Sequence, residues 1–122
     1  MMLQEEELSY VVRGCVYGVF KELGPGFLEK VYENALLREL QLQGLNAEAQ
    51  VPIKVYYKGT VIGEYFADLL IEGSIILELK AQQQLSMSAE AQLLNYLKAG
   101  DKKIGMLVNF AHPKAMIKRF II

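Results

Sequence analysis

Cysteine and histidine are nearly missing from this 122-residue chain, with one of each (Cys15 and His112), and tryptophan is absent. One Cys and one His cannot supply the four soft ligands of a structural zinc site. A lone thiol forms no internal disulfide, which suits a reducing compartment. Cys15 falls within an apolar helical pattern and reads as a small core residue, not a nucleophile. No apolar run approaches the length needed to span a bilayer. The opening MMLQEEELSY is acidic where a signal peptide is basic, so the expected location is the cytoplasm. Internal repeats, low-complexity tracts and linkers are also absent.

What is present is ordinary for a soluble domain: 52% hydrophobic and 22% charged residues. The length suits one domain, residues 1–122, around one core. A net charge of −1 hides an asymmetry, because five lysines and Arg119 stand against Asp101 alone from Lys98 onward, a balance of +5. Residues 1–97 therefore carry −6. A basic face is compatible with phosphate binding, although solvated surface lysines produce the same count.

Apolar residues at Leu8, Val11, Val12, Cys15, Val19 and Leu23 have helical spacing and predict a first helix over Gln4–Leu23. Gly14 and Gly18, one turn apart within it, suggest close approach of another element. LGPG at Leu23–Gly26 breaks that helix. A second helix is predicted near Phe27–Gln43, with Leu28, Val31, Tyr32, Ala35, Leu36, Leu40 and Leu42 as its buried stripe. AEAQVPIKVYY alternates as a half-exposed strand, turning at Lys58–Gly59. TVIGEYFADLLI resumes as a strand in which Gly63 hints at a bulge. Glu72–Ser74 turns the chain into a third strand, IILELK. A helix follows from Ser86 or Ser88 to Gly100, then strands IGMLVNF and AMIKRFII. The order α-α-β-β-β-α-β-β predicts a mixed α/β or α+β sandwich, a central mixed sheet flanked by helices.

Three charges disturb otherwise apolar strands: Asp68, Glu78 and Lys80. Alternation puts Glu78 and Lys80 on one face. A three-residue turn pairs Ile71 with Ile75 and carries Asp68 opposite Glu78; a two-residue turn sends Glu78 to the far face. Two such acids repel unless one is protonated or a cation lies between them. Their oxygens suit Mg²⁺ or Mn²⁺. A lysine two residues on can polarise water or steady charge developing on a phosphate, as metal-assisted phosphodiester hydrolysis requires. The plainer alternative is a strand turning polar as it leaves the core, with Glu78 and Lys80 as a surface pair.

Further segments recur in order. Gly26–Tyr32 has the form G-x-x-E-x-x-Y, Asp68 precedes E-x-K at Glu78–Lys80, and Gln92 and Tyr96 form Q-x-x-x-Y on a helix. In this order the chain, over roughly Val19 to Phe110, resembles the GxxExxY family grouped with the PD-(D/E)XK nuclease superfamily. The resemblance implies a restriction-endonuclease-like fold and a metal-dependent nuclease acting on DNA. It implies that Asp68, Glu78 and Glu29 hold Mg²⁺ or Mn²⁺, with the Leu79 carbonyl as a further ligand. It also implies that Lys80 positions the attacking water, that Gln92 steadies the site and that Tyr96 meets substrate. The chain departs from the pattern at Phe20, where family members often carry histidine. Plainer readings stand beside these roles: Glu29 as a first-turn helix acid, Tyr32 and Tyr96 as core aromatics, Gln92 bonded to backbone, and His112 in an exposed loop. The rival function is a nuclease fold that binds nucleic acid or a protein partner without cutting. A third reading has a homodimer completing the binding surface.

Overall fold

The computed structural model describes residues 5–111 and 113–122. Gln4 and His112, expected in the first helix and in an exposed loop, lie outside the described residues. The elements are α1 (Glu5–Leu23), α2 (Glu29–Leu42), β1 (Ala47–Tyr57), β2 (Thr60–Ile71), β3 (Ile75–Lys80), α3 (Met87–Ala99), β4 (Ile104–Asn109) and β5 (Met116–Ile121). Their order is the one the sequence pattern predicts, and they form a mixed α+β fold.

The five strands lie in the order β1-β2-β3-β4-β5. Among the described residues only β3 and β4, joined through α3, run parallel; the other neighbours are antiparallel. Alternation sends Leu77, Leu79, Met106 and Val108 into a core beneath α1 and α2. Ile76 and Leu107 go to the opposite face, against Leu93 and Leu97 of α3. Covered on both faces, β3 and β4 read as near-continuous apolar runs. Each leucine fully buried there contributes about 1.5–3 kcal/mol of transfer free energy. Gly105 on β4 lets α3 sit close, since a Cβ there would stand 2.9 Å from Leu93 Cδ1.

Local chemistry explains the turns. Lys58 and Gly59 both have positive φ, +49° and +82°, the conformation of a two-residue hairpin whose twist matches its strands. A register shift between Val55 and Tyr56 lies beside the Val55–Gly63 pair, where Gly63 hinted at a bulge. Pro52, lacking an N–H, sits on the edge strand β1. Ser86 caps α3, but its hydroxyl meets Ser88 Oγ at 2.7 Å in place of a backbone N–H.

Two expectations are corrected. In α2 the buried residues are Tyr32, Glu33, Leu36 and Leu40, whereas Leu28, Val31 and Leu42 are exposed. The stripe is rotated because Tyr32, not Leu28, plugs the core. Its ring stacks on Phe110 at 4.4 Å and its hydroxyl donates to the Gly24 carbonyl at 2.6 Å. Gly14 and Gly18 meet no neighbour: nothing among the described residues lies within 4 Å of a Cβ at either. Both are exposed, off the buried stripe that includes Leu8, Val12, Cys15 and Val19.

Candidate functional site

The β2–β3 ladder pairs Ile71 with Ile75, Leu70 with Ile76 and Leu69 with Leu77, and stops there. This is the register of the three-residue turn, helped by positive φ at Glu72 and Gly73. Beyond it the strands part: β2 continues against β1, and β3 against β4 through Lys80–Asn109. Asp68 and Glu78 occupy the fork. Backbone N–H groups there still require acceptors, and the two carboxylates supply them. The Leu79 N–H donates to Asp68 Oδ2 at 2.8 Å, and the Asp68 N–H donates to Glu78 Oε1 at 3.2 Å.

Why β2 leaves is visible one strand over. Gln50 has φ +53°, a left-handed conformation that costs a non-glycine residue about 1–2 kcal/mol. It turns the hairpin faces over. Ala47 and Ala49 pack beneath α1 and α2, while Ile53, of the same parity, packs under α3. Leu69 and Ala67 divide in the same way on β2. The Gln50 side chain then donates to Glu33 Oε1 at 2.6 Å and approaches Asp68 Oδ1 at 3.3 Å. Glu33 is buried on α2, and its other oxygen is paired with Lys30 Nζ at 2.5 Å.

Glu78 is only 3% exposed. Burial, then the neighbouring Asp68 charge, pushes its carboxyl up to about 8. Asp68 is also raised, mainly by burial and further by Glu33, against the opposing effects of the Leu79 N–H, Gln50 and Lys80. The ammonium of Lys80, half-buried and on the Glu78 face by alternation, favours the ionised form of both acids. From α3, Tyr96 faces the pair, and its hydroxyl is raised by burial, by Glu78 and by Asp68. Gln92, one turn earlier on α3, lies beside that hydroxyl.

Of the residues singled out from sequence, Asp68, Glu78, Lys80, Gln92 and Tyr96 thus surround one fork. Glu29, the first residue of α2, is exposed; its charge reaches Glu78, yet it makes no hydrogen bond to either acid among the described residues. Among the described residues no three of His, Cys, Asp and Glu gather closely enough to ligate one ion. The carboxylate that α2 does bury near the pair is Glu33, one turn after Glu29. Sequence reading passed over Glu33 and Gln50. The available signal was an acid between Tyr32 and Leu36, on the stripe of α2 that packs inward.

The donor set fits a hard divalent cation. Mg²⁺ is commonly held by one or two carboxylates, keeping waters and substrate phosphates as its other ligands. Two buried acids that repel one another gain most from such a charge.

The sequence model of the PD-(D/E)XK nuclease superfamily matches residues 6–120. Among solved structures, the crystal structure of SSO0001 is similar with a TM-score of 0.62 and 22% identity, over 96% of this chain and 59% of that one. An alkaline exonuclease from Laribacter hongkongensis is similar with a TM-score of 0.56 and 10% identity, over 99% of this chain and 72% of that one. This chain therefore spans less than two thirds of the length of SSO0001, and at these identities both likenesses concern the fold. No curated protein matches the sequence.

Proposed function

The chain belongs to the PD-(D/E)XK nuclease superfamily, and we propose that it hydrolyses phosphodiester bonds of DNA with Mg²⁺ or Mn²⁺. Within the superfamily we place it with the GxxExxY proteins, on Gly26, Glu29 and Tyr32, on Asp68 with Glu78-x-Lys80, and on Gln92 with Tyr96. The observation that carries the reading is the Asp68–Glu78 pair at the strand fork, with Lys80 on the same face.

Asp68 and Glu78 would hold the metal, with Glu29 reaching it from α2 once its side chain swings inward. Bound there, the ion supplies Lewis acidity toward a phosphoryl oxygen and lowers the pKa of water. Lys80 orients the attacking water and offsets negative charge developing on the phosphate. Gln92 holds the Tyr96 hydroxyl, which contacts substrate at the mouth of the fork. Gln50 positions Asp68 by sharing its amide between Glu33 and the Asp68 carboxylate. The test is hydrolysis of labelled single- and double-stranded DNA, and of RNA of equal length, with Mn²⁺ or Mg²⁺. Wild type is compared with Asp68→Ala and Lys80→Ala. Cleavage lost in both variants is the expected result; equal cleavage in all three sinks the assignment.

One observation favours a second reading, a nuclease fold that binds without cutting: among the described residues no third acid stands close enough to Asp68 and Glu78 to ligate the same ion. Calorimetric Mn²⁺ binding that Glu78→Ala abolishes would count against this alternative.

A further inference from the structure

The long β1–β2 hairpin carries an unusual surface. Tyr56, Tyr57 and Phe66 are exposed, with Tyr56 at 63%, and Tyr65 is at the margin with 36%. Clustered exposed aromatics on a soluble domain mark a contact surface. Between this hairpin and α3 lies a cavity of about 450 Å³, lined by Lys54, Tyr56, Tyr65, Asn95 and Lys98 among others. A second hollow of about 290 Å³ continues along the same hairpin and adds Lys102 while sharing Lys54. Among the described residues, three lysines line the two hollows and no carboxylate does. Glu64 pairs with Lys54 across the strands, yet among the described residues no ion pair engages Lys54, Lys98 or Lys102.

The cavity adjoins the candidate site at Tyr65, which lines it. The Tyr65 ring lies 5.0 Å from that of Tyr96, and Tyr96 feels the charges of Glu78 and Asp68. Aromatic faces alternating with unpaired cations are what a nucleic acid strand recognises: bases stack on rings and phosphates meet lysines. A duplex hides its base faces within the stack, so rings standing in a groove favour an unpaired strand. We propose that this groove binds the single-stranded nucleic acid segment flanking the phosphodiester at the fork. Tyr56 and Tyr65 stack successive bases, Lys54 and Lys98 take phosphates, and Asn95 offers a hydrogen bond to a base edge or a sugar. The inference rests on the nuclease reading for its polarity toward Asp68 and Glu78, and on the groove itself for binding.

The experiment is fluorescence anisotropy with labelled oligothymidylate, oligouridylate and a blunt duplex of equal length. It is performed over a salt series with wild type, Tyr56→Ala, the double variant Lys54→Ala/Lys98→Ala, and Lys21→Ala on α1 as control. Tyr56 and both lysines are exposed, so melting temperatures matching the wild type are expected and verify folding. The expected result is preference for either single strand over duplex and a loss of about tenfold in affinity for Tyr56→Ala. The salt slope should fall by about 0.7 for each lysine removed. Unchanged affinity and slope in these variants overturns the groove, as does absence of binding by wild type. A dimer in solution that Tyr56→Ala converts to monomer, without oligonucleotide binding, also overturns it and assigns the face to a second copy. Binding as expected without hydrolysis under any metal leaves the groove standing while the nuclease reading falls. Hydrolysis unaffected by the groove variants does the reverse.

Discussion

Replacing Glu78 by glutamine tests the site most directly. Glutamine keeps a carbonyl oxygen for the Asp68 N–H, which Glu78 Oε1 now accepts at 3.2 Å, and it removes only the charge. The Glu78 carboxyl is pushed from 4.5 up to about 8 by burial and by Asp68. An acid that holds its proton more tightly when folded stabilises the fold fully below its unfolded value. That contribution is lost as pH rises through the folded value. Metal-free wild type should therefore weaken relative to Glu78→Gln by about 3 kcal/mol between pH 6 and pH 9. Paired urea titrations across that range measure the widening gap. Excess Mg²⁺ should close much of it at alkaline pH, by binding the ionised pair in the folded wild type and not in the variant. A gap that stays constant with pH would refute the raised Glu78 carboxyl and with it the electrostatic case for a cation site.

Other consequences follow from individual residues. The thiol of Cys15 is buried and raised to about 11, so at neutral pH iodoacetamide should label it only after denaturation. Gly105→Ala should cost about 1–3 kcal/mol in urea unfolding, because its Cβ would meet Leu93 and Leu97 at 2.9 and 3.0 Å. Gln50→Gly should be more stable than Gln50→Ala by about 1 kcal/mol, since both lose the amide and only alanine pays for φ +53°. Equal midpoints for the two would show that β1 relaxes at that position.

Much of the fold was legible from spacing. Helical and alternating periodicities, with breaks at LGPG, Lys58–Gly59 and Glu72–Ser74, put every element in its place, because short-range backbone preference and side-chain patterning agree at those points. The opposition of Asp68 and Glu78 was readable as a consequence of turn length, and the strands adopt that register. The stripe of α2 was less legible, because hydrophobicity alone ranks Leu28 with Tyr32. Which of them is buried depends on Phe110, 78 residues further along, against which the Tyr32 ring stacks.

By itself, then, the sequence determined the order of elements and the strand face shared by Glu78 and Lys80, and it narrowed the β2–β3 register to a choice between turn lengths. These depend on interactions between near neighbours in the chain. Tertiary structure alone decided that β2 parts from β3 at that pair, that Gln50 twists the hairpin over, that Glu33 is buried and that Glu29 is exposed. Each depends on surfaces meeting across many residues, where the packing of whole layers overrides what any local pattern prefers.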